Sequence, residues 1–297
     1  MTDRSSLASS CVEALIKRVL PEGGFSMFPG GGFRADATAW AVLALSLAPS
    51  VERATGVIEN GRSRLAASQS EDGRVSVSPS DPGPFWPTPL AILAWHGSSK
   101  YAKHRVRATD FLLRTTGKHW EKTENSPLAH DTSIHGWPWN QDTHSWVEPT
   151  SLSILALRTA GVGGHKRVLE GVRMLMDRQL PSGGWNYGNT IAFGTELLPQ
   201  ADCTGIALNA LAGEVPQSDV EISLRYLKTQ VTRLRTPLSL GWGILGLGSW
   251  GRRPGQATSW IGECLARQDL SGVYDTTLVS LLLLALEGKR GLEHLFR

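Results

Sequence analysis

The sequence predicts an all-α fold, an (α/α)6 barrel of six inner and six outer helices, on three observations. A turn of the form Gln-x-x-x-Gly-x-aromatic recurs at Gln179, Gly183, Trp185 and at Gln268, Gly272, Tyr274, with a weaker copy at Gln69, Gly73, Val75. A helix opening on an acid and a threonine recurs at Asp36 and Thr38, Glu148 and Thr150, Asp202 and Thr204, and Asp275 and Thr277, with divergent copies at Trp86-Pro87-Thr88 and Thr236-Pro237. Between these apolar helices lie amphipathic ones, aliphatic at three- and four-residue spacing and charged on the other face. Evenly spaced repeats argue for one closed array, so 1–297 reads as a single α/α toroid domain.

The outer helices are expected near 5–19, 51–68, 101–115, 165–178, 219–230 and 256–267. The inner ones are expected near 36–47, 88–96, 149–159, 203–212, 237–247 and 276–287. A helix apolar on nearly all faces must be surrounded by protein, whereas an outer helix needs only one buried stripe. Small residues such as Ala39, Ala41, Ala44, Ala207 and Ala210 let inner backbones approach closely. The alternation puts every inner N-terminus at one end of the barrel, where Asp36, Glu148, Asp202 and Asp275 form a ring. Asp and Thr are favoured helix caps, and a carboxylate there offsets the helix dipole, so capping alone accounts for such a ring. A catalytic acid has to be singled out by something further.

The longest interruption, 116–147, holds His119, Trp120, His130, Asp131, His135, Trp137, Trp139, Asp142, His144 and Trp146. It exceeds the roughly 2 to 8 residues usual between packed helices and reads as a lid or functional loop at the acid-ring end. Its histidines do not follow His-Glu-x-x-His or a similar ligand spacing, so no metal is expected.

At 41% hydrophobic and 19% charged residues the chain can bury a large core. A net charge of +3, without a basic run interleaved with aromatics, argues against nucleic acid as a partner. Cys11, Cys203 and Cys264 form no Cys-x-x-Cys pair, which argues against a disulfide framework or a Cys-rich zinc site and fits a reducing cytoplasm. The first ten residues are polar, and the longest apolar run, 281–286, falls far short of the roughly 20 residues of a membrane span. Peripheral membrane contact and a second subunit capping the barrel stay open.

The Gln179-Gly183-Trp185 and Gln268-Gly272-Tyr274 turns, each followed by an Asp-x-Thr inner helix, resemble the squalene and oxidosqualene cyclase and protein prenyltransferase superfamily over nearly the whole chain. In that family the turn residues tie outer helices together, a role the resemblance implies for Gln179, Trp185, Gln268 and Tyr274. Ala201-Asp202-Cys203-Thr204 is similar to the Asp-Cys-Thr of oxidosqualene cyclases, where the Asp is the protonating acid and the Cys hydrogen-bonds to it. Against the Asp-x-Asp-Asp-Thr of squalene-hopene and class II diterpene cyclases, Asp202 falls on the middle Asp while Gln200 and Cys203 replace its neighbours. Those enzymes are built from two helical domains, and this chain has room for one. The Asp-x-Cys zinc ligation of protein prenyltransferases is not matched, because Asp202 and Cys203 are adjacent.

The resemblance implies acid-initiated, class II type cyclisation of an isoprenoid. Asp202 is the expected proton donor, oriented by Cys203 and His144, with Glu148 as proton acceptor or water-holder. Trp86, Trp137, Trp139, Trp146, Trp185, Phe193 and Trp242 are the candidate substrate-binding residues, since aromatic faces stabilise cations. Protonating an alkene or epoxide needs no cofactor, so none is expected. Other classes are kept: a non-catalytic isoprenoid-binding or interaction barrel, in which Asp202 is only a cap, and behind it an (α/α)6 glycosidase or lyase with Glu148 and Asp202 as acid and base, or a protein prenyltransferase-like zinc enzyme.

Overall fold

A helix that is apolar around its whole circumference has to be enclosed by other helices. The computed structural model, which describes residues 3–48, 51–78, 80–124 and 126–292, encloses six of them. In chain order the helices are α1 (Arg4–Ile16), α2 (Ala35–Leu47), α3 (Val51–Ala67), α4 (Pro87–Ala94), α5 (Ala102–Arg114), α6 (Val147–Thr159) and α7 (Lys166–Asp177). They continue as α8 (Ala201–Leu211), α9 (Gln217–Val231), α10 (Pro237–Ser249), α11 (Ala257–Ala266), a one-turn α12 (Gln268–Ser271) and α13 (Thr276–Glu287). α2, α4, α6, α8, α10 and α13 are buried along most of their length. Each packs on the next, and α13 packs on α2, so the inner ring closes. α3, α5, α7, α9 and α11 each lie outside, against the inner helices before and after them, and α1 lies against α13. The architecture is the (α/α)6 barrel that the repeats predict.

Close approach of the inner helices rests on glycine in one place above all. A Cβ on Gly205 of α8 would stand 2.3 Å from the Trp242 carbonyl oxygen of α10, and one on Gly246 would stand 2.6 Å from the Gly205 carbonyl oxygen. These two helices therefore touch backbone to backbone. α2 and α10 are separated by α13 in the ring, yet the indoles of Trp40 and Trp242 meet edge to face at 5.7 Å. That contact fills the barrel interior one level below the helix starts.

A threonine in the first turn of four inner helices acts as a latch on the preceding turn. Thr38 Oγ1 accepts the Phe25 N–H at 2.9 Å, Thr88 that of Val75 at 3.0 Å, Thr150 that of Trp137 at 2.9 Å and Thr204 that of Trp185 at 2.9 Å. In three of these pairs the partners are 13 residues apart and in the fourth 19. The longer spacing accommodates a hairpin of β1 (Ile191–Ala192) and β2 (Thr195–Glu196). At the closing seam Thr276 Oγ1 donates to the Ser26 carbonyl at 2.6 Å, and Arg18 donates to the Tyr274 carbonyl at 2.6 Å, joining the last turn to the first.

Turn aromatics tie back to the outer helices through their polar ends. Trp137 Nε1 donates to Leu112 O of α5, Trp185 Nε1 to Leu175 O of α7, and Tyr274 Oη to Cys264 O of α11. Gln179 bridges to Ser223 of α9 at 2.7 Å, Gln69 to His104 O of α5 at 2.9 Å, and Gln268 accepts the Tyr274 N–H at 2.9 Å.

The other end of the barrel is fixed by arginines that donate to the last carbonyls of inner helices, where the helix dipole is negative. Arg62 binds Ala94 O at 2.7 Å, Arg158 binds Ala212 O at 2.9 Å, and Arg253 binds Ala285 O at 2.6 Å. The strand β3 (Lys289–Leu292) packs on α10 and α13 there, and the Leu292 N–H donates to Asn209 Oδ1 at 3.2 Å. Among the described residues no helix is long and apolar enough to cross a membrane. Residues 1–2 and 293–297, which the single-domain reading takes in, lie outside the described residues.

Candidate functional site

The ring of acids at the inner-helix N-termini divides by what each carboxylate touches. Asp275 is the N-cap of α13, its Oδ1 accepting the Leu278 N–H at 2.8 Å, which is the capping role. Asp36 is buried and held by Arg34 in a two-pronged pair at 2.9 and 2.7 Å. Glu148 and Asp202 behave differently. Each is the second residue of its helix, α6 and α8, and those helices are neighbours in the ring. Among the described residues neither carboxylate has a hydrogen-bond or salt-bridge partner, and both keep some accessible surface, so they face a recess rather than packed core.

The electrostatics of this pair is set by which effect wins. A position in the first helical turn favours the anion through the dipole. Burial disfavours it, and a second carboxylate beside it disfavours it further. For Glu148 the unfavourable effects dominate: burial first, and then the charge of Asp202, push its carboxyl up to about 8. At neutral pH this favours the protonated form of Glu148. The same charges reach two phenols. Asp202 is the largest influence raising Tyr187, with smaller contributions from Cys203, burial and Glu148, while Tyr226 is raised by burial and then by Asp202.

Several site residues expected from sequence make no hydrogen bond to this pair among the described residues. Cys203 is buried and makes no hydrogen bond to Asp202. Consecutive residues of a helix point about 100° apart, so it is carried away from the carboxylate. Burial, with Asp202 and Glu148 nearby, raises its thiol pKa. His144 is exposed and packs against Trp120 at 4.8 Å, without a hydrogen bond to Asp202. Trp137 and Trp185 are enclosed in the wall by the indole bonds described above. Trp137 lies under the Arg167 guanidinium at 4.4 Å and fits over Gly171, where a Cβ would come within 2.7 Å of its ring. Trp242 is held in the interior by Trp40. Phe193 sits in the β1–β2 turn with positive φ and is 85% exposed.

The remaining aromatics stay at the acid-ring end. Trp86, which precedes α4, meets Trp139 edge to face at 5.6 Å, so the 116–147 segment reaches the rim there. Trp146 immediately precedes α6 and is partly accessible. Tyr187 was not singled out by sequence. Its carbonyl accepts the Val147 N–H at 2.9 Å, which anchors it beside the start of α6, and its place two residues after Trp185 is the signal that could have found it.

No family model matches the sequence, and no curated protein matches it. Solved structures resemble it over nearly their full length at low identity. A protein from Actinoplanes superposes with a TM-score of 0.66 at 14% identity, covering 97% of this chain and 99% of that one. The type II terpene cyclase MstE from Scytonema, in complex with geranylgeranyl dihydroxybenzoate, gives 0.64 at 12%, covering 98% and 99%. The GH76A α-1,6-mannanase from Salegentibacter sp. HEL1_6 gives 0.62 at 12%, covering 97% and 99%. Terpene cyclase and glycosidase thus share this fold with the chain, and what the likeness shows is the α/α toroid.

Proposed function

We propose that this chain is an acid catalyst that protonates an isoprenoid, with Glu148 rather than Asp202 as the donor. The observation that carries this is the pair itself: two adjacent carboxylates without protein partners, one of them held neutral by burial and by the charge of the other. A neutral carboxylic acid in a recess is what general acid catalysis at neutral pH requires.

In the proposed reaction the π electrons of a substrate double bond take the Glu148 proton, forming a C–H bond and leaving a cation at the neighbouring carbon. A second double bond of the same chain attacks that cation and closes a ring. The Asp202 carboxylate offsets the positive charge and accepts the proton lost at the end, after which the proton returns to Glu148 and the net change is isomerisation. Trp86, Trp139 and Trp146 supply aromatic faces at the rim.

The test is product analysis by gas chromatography and mass spectrometry after incubation with squalene, oxidosqualene, and farnesyl and geranylgeranyl diphosphates. The expected result is a cyclic product that Glu148→Gln abolishes and Asp202→Asn reduces. A product made equally by both variants would remove the pair from the mechanism. A second reading, glycoside hydrolysis, is favoured by the placement of two carboxylates on adjacent helices, which suits an acid and its partner. Release of reducing sugar from α-1,6-mannan, lost in the same variants, would decide for it.

A further inference from the structure

Beside the acid pair, and distinct from it, the 116–147 segment encloses a cavity of about 290 Å³ against the turn that follows Trp185. Its walls include Lys118, Trp120, His130, His144, Trp146 and Arg178, and no Asp or Glu lines it. Trp120 and His144 stand edge to face, and His144 is 6.1 Å from Trp146, so one side of the cavity is a continuous run of flat rings.

His130 is the feature that packing does not explain. It is only 6% exposed, and among the described residues its ring has no hydrogen-bond partner, although buried polar atoms are normally paired; Nδ1 is sealed inside the wall, which leaves Nε2 as the nitrogen open to the cavity. Burial, with Arg178 and Lys122 close by, pushes it down to about 4, so it is a neutral imidazole with hydrogen-bonding capacity to spare. The other enclosed histidine of the segment is fully used: His119 Nδ1 donates to Thr132 O at 3.2 Å, and its Nε2 accepts from Ser145 Oγ at 3.0 Å. Arg178 is held by Asp177 and the Asp131 carbonyl, which fixes its guanidinium in the wall. Lys118 brings a cation without a carboxylate partner among the described residues.

We infer that this cavity is a binding site for a small planar organic anion, an aromatic carboxylate in class. The indoles of Trp120 and Trp146 cover its ring, His130 hydrogen-bonds to it and Lys118 pairs with its charge. The inference goes beyond the proposed reaction: it shares Trp146 with the rim but uses neither carboxylate of the Glu148–Asp202 pair.

The probe is benzoate, titrated into the full chain by calorimetry and by tryptophan fluorescence, with benzamide as the uncharged isostere and inorganic phosphate as the non-planar anion. Saturable benzoate binding is expected, weakened roughly tenfold by Lys118→Met, by Trp120→Ala and by His130→Phe, from loss of a charge-assisted or stacking contact. Lys118 is exposed, so its variant keeps the test valid if His130→Phe fails to fold. Glu148→Gln should leave benzoate affinity unchanged, which separates this site from the proposed reaction. Benzamide binding as tightly as benzoate would overturn the anion assignment, and phosphate binding in its place would overturn the planar one. Absence of saturable benzoate binding, or affinity indifferent to Lys118→Met and Trp120→Ala, would overturn the site.

Discussion

The hydroxyl of Thr204 accepts the backbone N–H of Trp185 at 2.9 Å and returns a hydrogen bond to the Trp185 carbonyl at 3.2 Å, clasping the turn that precedes α8 to the helix itself. Both residues are fully buried, so the turn N–H has no water to replace a lost partner. Thr204→Val keeps the shape and removes the acceptor, and should cost about 1–3 kcal/mol, the penalty of an unsatisfied buried donor. Urea unfolding measures it. Thr277→Val is the control, because among the described residues the Thr277 hydroxyl bonds to nothing beyond the Met27 sulfur at 3.9 Å, and it should change stability little.

Backbone contact between α8 and α10 makes Gly205 a sharper test of packing. A methyl group there would meet the Trp242 carbonyl oxygen at 2.3 Å and the next backbone nitrogen at 2.9 Å, atoms that cannot rotate aside. Gly205→Ala should cost about 1–3 kcal/mol, read as a lower unfolding midpoint, despite alanine's better helix propensity. An increase in stability would mean that the two helices stand farther apart than described.

Two enclosed histidines should make the fold acid-sensitive. His119 and His130 are both pushed down to about 4, burial being the first cause in each, against about 6.5 for a free imidazole. Between those values the unfolded chain binds protons that the folded chain does not, so stability is full above about pH 6.5 and falls as pH drops toward about 4. Each contributes on the order of 1–3 kcal/mol. Unfolding curves at pH 7 and pH 5 should differ, and His119→Gln should narrow the difference.

The three thiols should be silent in the native state. Cys11, Cys203 and Cys264 are all buried, and burial pushes Cys11 up to about 12 and raises the other two. Thiolate is the reactive form, so iodoacetamide should label none of them at pH 8 until denaturant is added. Rapid labelling of Cys203 without denaturant would show that the recess at α8 opens wider than its structure allows.

The sequence makes the ring legible because helix burial is a local property: 35–47 and 276–287 are apolar on every face, and neither can stand outside. It hides two of the turns. Phe25 and Trp137 occupy the same latch position as Trp185, but Val19 and Asp131 stand where the turn glutamine would be. The constant 13-residue interval to Thr38 and Thr150 is the signal that survives. Tryptophan is a poor guide to the site, since Trp137 and Trp185 look like rim residues in sequence yet spend their indole N–H groups on α5 and α7. The character of Glu148 could not be read from its own surroundings in the chain. It depends first on burial and then on the charge of Asp202, 54 positions away and brought alongside only when α6 and α8 pack.

The proposed reaction requires that Glu148 carry the proton of that pair. Carbon-13 NMR titration of the Glu148 side-chain carboxyl, assigned by comparison with Glu148→Gln, reads this directly. The prediction is a midpoint near 8 in the wild type, moving toward the ordinary glutamate range in Asp202→Asn as the neighbouring charge is removed. A wild-type midpoint near 4.5, unchanged in Asp202→Asn, would contradict the account and leave Glu148 an ordinary first-turn acid.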